Sequence, residues 1–80
     1  MAHENKVLRS IETPDGGRCV NVFVRPDATY GFEEFRRDVE DGRGWFATGH
    51  HAYRVFETEQ SALAAALSDV AWLGTVVASD

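Results

Sequence analysis

Apolar and polar positions alternate with a period of two over residues 6–12 and 19–25. Val7, Arg9 and Ile11 alternate with Leu8, Ser10 and Glu12, then Val20, Val22 and Val24 with Asn21, Phe23 and Arg25. Successive side chains of an extended chain point to opposite faces, so both runs predict strands. Turn signals separate them. Thr13-Pro14-Asp15-Gly16-Gly17 is the strongest, because proline presets φ and glycine accepts positive φ without a steric penalty; Pro26-Asp27-Ala28-Thr29 and Asp41-Gly42-Arg43-Gly44 follow.

Residues 30–37 fit two periods. Phe32, Phe35 and Val39 have helical spacing, whereas Tyr30 and Phe32 alternate as in a strand and Gly31 weakens a helix start. The flanking turns favour the strand. Pairing Arg25 with Tyr30 then sets Phe23 against Phe32, Val22 against Glu33 and Val20 against Phe35. That register gives one face with Val20, Val22, Val24 and Phe35, and another with Phe23, Tyr30 and Phe32. A fourth strand is expected over 44–56.

Beyond it the period changes. Thr58 suits a helix N-cap and Glu59 its first turn, where the dipole favours an anion. Leu63, Ala66, Leu67, Val70 and Gly74 then recur on one face, with Leu73 at its flank, predicting a helix over 59–73 that ends at Gly74. The expected fold is α+β: an antiparallel β-meander of three to four strands with one C-terminal α-helix packed on one face. One helix covers one face of a sheet, so the second face needs another cover: a terminus, the segment near His50, or a second copy of the chain.

Eighty residues make a single domain, 1–80, with a small core. Cys19 is the sole cysteine, which rules out an intrachain disulfide, disfavours cysteine-based zinc sites and suits the reducing cytoplasm. The amino end has no long apolar run of the kind that makes a signal peptide, and no segment has the length of a membrane span. A net charge of −5, with Lys6 the only lysine, makes nucleic acid an unlikely partner. An aromatic sheet face bearing Phe23, Tyr30 and Phe32 is the feature that would revive single-stranded binding.

The string Phe32-Glu33-Glu34-Phe35-Arg36-Arg37-Asp38, then Glu40-Asp41-Gly42 and Gly44-Trp45, precedes an Ala/Leu-rich helix that ends in Trp72-Leu73. Over about residues 19–74 this resembles a group of small bacterial proteins that form a domain of unknown function. The resemblance implies a compact strand-then-helix fold in a bacterial cytoplasm, and it carries no activity and no catalytic residues.

Glu33, Glu34, Arg36, Arg37 and Asp38 form the candidate polar cluster. As an acid/base site it needs two carboxylates in different environments. Neighbours on a strand diverge, so cross-strand ion pairs on a solvated surface explain the alternating signs better. His3, His50 and His51 lack the spacing of a metal site, and the adjacent pair reads as a polar loop. Cys19, at the edge of a valine run, reads as a small hydrophobe rather than a nucleophile. Gly42 and Gly44 are turn residues, not a phosphate loop. No cofactor and no metal are expected. Trp72 lies opposite the helical stripe, either as an interface anchor or folded over residues 75–78. Phe23, Tyr30, Phe32 and Trp72 are the candidate interaction surface. The leading expectation is a non-enzymatic protein-interaction or homodimerising module. The alternative is a small-ligand-binding protein or enzyme using the 33–38 cluster.

Overall fold

A computed structural model describes residues 5–37, 44–48 and 51–78. Four strands form one antiparallel sheet in chain order: β1 (Lys6–Glu12), β2 (Arg18–Val24), β3 (Tyr30–Arg37) and β4 (Trp45–Ala47). Two helices follow, α1 (Glu59–Asp69) and α2 (Leu73–Ala78). The fold is therefore α+β, a four-stranded meander with C-terminal helices. No helix among the described residues is long and apolar enough to cross a membrane.

The first hairpin turns where expected. The Gly16 N–H donates to Thr13 O at 2.9 Å, Gly16 takes a φ of +73°, and the Thr13 N–H closes the loop on Arg18 O at 3.0 Å. The second hairpin differs by one residue. Arg25 N–H donates to Thr29 O at 2.7 Å and Ala28 N–H to Arg25 O at 2.9 Å, so the loop is Pro26, Asp27 and Ala28 alone. Such three-residue loops end on a left-handed residue, and Ala28 sits at φ 69°. The Asp27 carboxylate holds it, accepting from the Thr29 N–H at 3.0 Å and the Thr29 hydroxyl at 2.6 Å.

That single residue moves every side chain of β3 to the other face. The register sets Val24 opposite Tyr30, Val22 opposite Phe32, Val20 opposite Glu34 and Cys19 opposite Phe35. Contrary to the register expected from the sequence, Tyr30 and Phe32 join the valines, while Phe35 lies with Phe23. The valine face is the core. Val20, Val22 and Phe32 are fully buried there beneath Ala62, Ala66, Val70 and Leu73, with Ile11, Tyr30, Phe56, Leu63 and Trp72 around them.

β1 carries a second irregularity. Ile11 pairs with Val20 and Arg9 with Val22, but the register then shifts so that Val7 pairs with Phe23. Leu8 is the extra residue of this bulge, which turns Val7 away from the core face. β4 is also shorter than the expected strand over 44–56. It ends at Ala47, and an isolated bridge follows at Phe56, whose N–H and C=O bond to Tyr30 at 2.9 and 2.8 Å.

Thr58 caps α1, its hydroxyl oxygen accepting the Ser61 N–H at 3.0 Å. The helix does not run on to residue 73. Val70 leaves helical geometry with φ −102° and ψ 104°, and a second helix starts at Leu73, so Gly74 lies inside α2 rather than ending α1. Ala62 and Ala66 are the buried positions of α1, and Leu67 remains 38% exposed. Small side chains let the helix axis approach β2 and β3 closely. The break then turns Val70 and Leu73 into the core, where a straight helix would carry Leu73 to the flank.

Candidate functional site

The centre of the 33–38 cluster is buried, not solvated. Glu33 is 5% exposed. A buried carboxylate is tolerable only when its oxygens are satisfied, and here backbone N–H groups do so. Glu34 donates to it at 2.8 Å, His51 at 3.2 Å to each oxygen, and Ala52 at 3.1 Å. Arg25 complements it from the other side. Its guanidinium donates to Tyr30 O at 2.9 Å, Ala52 O at 2.5 Å and Arg54 O at 2.9 Å, and it lies 5.0 Å above the Phe23 ring. One carboxylate and one guanidinium thus clamp residues 51–54 through their backbone.

Gly31 makes room for this clamp. A Cβ at that position would stand 2.6 Å from Arg25 Nη2 and 2.9 Å from Phe23 Cζ, closer than carbon atoms approach. The loop is further braced on the core side. The His51 ring stacks on Phe32 with centroids 4.8 Å apart, and Arg54 lies over Phe32 and Phe56 at 5.5 and 5.3 Å while pairing with Asp69. Tyr53 and Val55 point outward, 80% and 65% exposed.

The other members of the cluster point apart. Glu34 lies on the core face and accepts the Trp72 indole N–H at 2.9 Å. Arg36 is exposed directly opposite Arg18, a like-charge pair in place of the cross-strand ion pairs expected from the sequence. Arg37 donates to Gly16 O at 2.9 Å and covers the Trp45 ring at 4.7 Å. Asp38 lies outside the described residues, as do His3, His50, Asp41, Gly42 and Arg43. The described side chains of the cluster are not gathered in one place, because consecutive residues of β3 serve opposite faces. The ion pairs among the described residues, Arg9 with Glu59 and Arg54 with Asp69, tie the sheet and its loop to α1.

The candidate interaction residues also separate. Phe32 is fully buried beneath α1 and not available as a surface. Tyr30 packs at the core margin. Phe23 is 6% exposed on the opposite face, under Arg25. Trp72, at the helix break, is partly buried against the core and bonded to Glu34, so it neither stands free nor lies only over residues 75–78.

Other exposed apolar residues, Val7 and Trp45, lie on the sheet face away from the helices. Two adjoining depressions share Asn21 and Phe35. One, of about 300 Å³, is lined by Val7, Phe23, Glu33, Ala47 and Ala52 among others; the second, of about 230 Å³, by Ser10, Glu12, Cys19 and Trp45. Val7 is 51% and Trp45 38% exposed. Sequence reasoning missed Val7, Phe35 and Trp45. The Leu8 bulge and the Ala28 turn that place two of them have no marked signature in the residue types.

Cys19 is 6% exposed, with Sγ 3.3 Å from both Ser10 Oγ and Asn21 Oδ1. Neither of these two hydrogen-bonding neighbours is a base that would activate a nucleophile. Among the described residues no group of three or more His, Cys, Asp or Glu side chains could hold a metal ion. Comparison with protein families, with curated proteins and with solved structures finds no match.

Proposed function

We propose that the chain is a non-enzymatic interaction module that dimerises through its open sheet face. The thickness carries this reading. Layers of secondary structure pack about 10 Å apart, and the shortest extent of the molecule, 20 Å, accommodates the sheet and one helical layer but no third. Val7 and Trp45 on the outer face thus have no helical layer over them among the described elements, and they stay 51% and 38% exposed.

A second copy fits this face better than a charged partner. Two molecules of net charge −5 repel each other, so they can meet only where negative charge is sparse. The depression around Val7, Phe23, Phe35 and Ala47 is such a place, because the carboxylate of Glu33 is buried and bonded to backbone N–H groups. The outline of 37 × 31 Å also has room for the roughly 800 Å² per partner of a standard interface. The alternative, a ligand site built on residues 33–38, finds no support in the geometry of its described members, since the side chains of residues 33–37 serve opposite faces of β3.

The test is sedimentation across micromolar to millimolar concentrations. The chain is expected to shift from monomer to dimer, and Val7→Lys to remain monomeric while melting like the parent. Val7 is half exposed in one copy, and lysine is well tolerated on edge strands. A parent chain that stays monomeric throughout sinks the proposal.

A further inference from the structure

The second depression of the open face has a chemistry of its own. β1 contributes Ser10 and Glu12 as a polar wall, β2 lays Cys19 and Asn21 on the floor, and Phe35 and Trp45 form an aromatic wall. Cross-strand order explains the arrangement. Glu12 is opposite Cys19, Cys19 opposite Phe35, and Phe35 opposite Ala47, two residues from Trp45. A carboxylate therefore faces an aromatic surface across two strands. Among the described residues no cation pairs with Glu12, since the ion pairs there engage Glu59 and Asp69.

We propose that this cleft binds a small planar heterocycle carrying two adjacent N–H donors, the amidine edge of a guanine-type base. A carboxylate accepts such an edge with both oxygens, and an indole or phenyl ring stacks on the face of any flat base. The size agrees. At about 230 Å³ the cleft falls below the range of roughly 300–1,000 Å³ typical of drug-sized ligands, so it admits one compact ring system.

Guanidinium ions share the same edge, but Arg37 counts against them. Its guanidinium already lies 4.7 Å from the Trp45 ring and places a positive charge beside the aromatic wall. A neutral base avoids that repulsion. The acidic balance of the chain argues against polynucleotides, so the ligand is a free base or nucleoside rather than a strand.

The two tryptophans provide the readout. Trp45 lines the cleft, whereas Trp72 is bonded to Glu34 on the core face and serves as an internal reference. Indole N–H resonances are followed while guanosine, inosine or agmatine is added to the full chain. Guanosine is expected to move Trp45 saturably and leave Trp72 in place. Inosine, which lacks the exocyclic amine, binds roughly ten-fold more weakly, as guanosine does to Glu12→Gln. An unmoved Trp45, equal binding of guanosine and inosine, or tighter binding of agmatine than of guanosine overturns the proposal.

The two depressions share Asn21 and Phe35, so a second copy and a nucleoside compete for the open face, yet the two proposals fail separately. Val7→Lys acts at the other depression and is expected to abolish association without weakening nucleoside binding. Glu12→Gln is expected to do the reverse, with an unchanged Trp72 resonance showing that the fold is intact.

Discussion

Replacing Glu33 with glutamine isolates the clamp, because the side chain keeps its length and loses its charge. The carboxylate accepts three backbone donors, from Glu34, His51 and Ala52. An amide offers one oxygen and turns its NH₂ toward the remaining donors. At least one backbone N–H then has no acceptor, at a cost of about 1–3 kcal/mol for a buried group. The loop can open toward water and recover part of that, so about 2 kcal/mol is the expected loss. For a domain of this size such a loss lowers Tm by roughly 8–16 °C. Urea titration should show a lower midpoint at an unchanged m-value, because the surface exposed on unfolding stays the same. Hydrogen exchange locates the effect: the amides of His51 and Ala52 should exchange faster in Glu33→Gln, while those of β2 follow global stability. An unchanged midpoint together with unchanged exchange at His51 and Ala52 would refute the reasoning.

Two further outcomes follow from the turns. Ala28 holds φ 69°, where glycine meets no Cβ clash, so Ala28→Gly should raise stability by about 1 kcal/mol in the same urea assay. Asp15 and Asp27 both lie below the usual aspartate value of 3.8, held there first by hydroxyl bonds from Thr13 and Thr29 and then by the N–H groups of Gly17 and Thr29. A lowered folded-state value means that the unfolded chain takes up these protons first. The contribution is complete above about pH 4 and is lost as pH falls through the folded values. Thermal melts down that range should show a smaller acid slope for the Asp15→Asn, Asp27→Asn double variant than for the parent.

The order of elements was legible because it rests on local rules. Period-two runs gave two strands, the flanking turns favoured a third, Pro14 and Pro26 marked turns, and Thr58 marked the start of a helix. Register was not legible, because it depended on an alanine in a conformation that alanine seldom adopts. The error was total in its consequence: moving one residue exchanged Phe32 for Phe35 on the open face. The helix break was hidden by Ala62, Ala64, Ala65 and Ala66, whose uniformity leaves the buried stripe undefined. Glu33 and Arg25 were misjudged for a different reason. Their partners in the loop are backbone atoms 18 to 29 residues away, and a carbonyl or amide far along the chain leaves no mark in the composition of the segment that provides it.

The clamp on residues 51–54 has a consequence for how this chain can vary. Glu33 and Arg25 grip N–H and C=O groups, which are the same for every residue except proline. Tyr53 and Val55 turn outward and take no part in the grip. At positions 53 and 55 the loop is thus held in shape without help from the side chains it carries there, while His51 and Arg54 brace it from the core side. Positions 53 and 55 form a natural grafting site, where a library of side chains can be presented on one unchanging backbone.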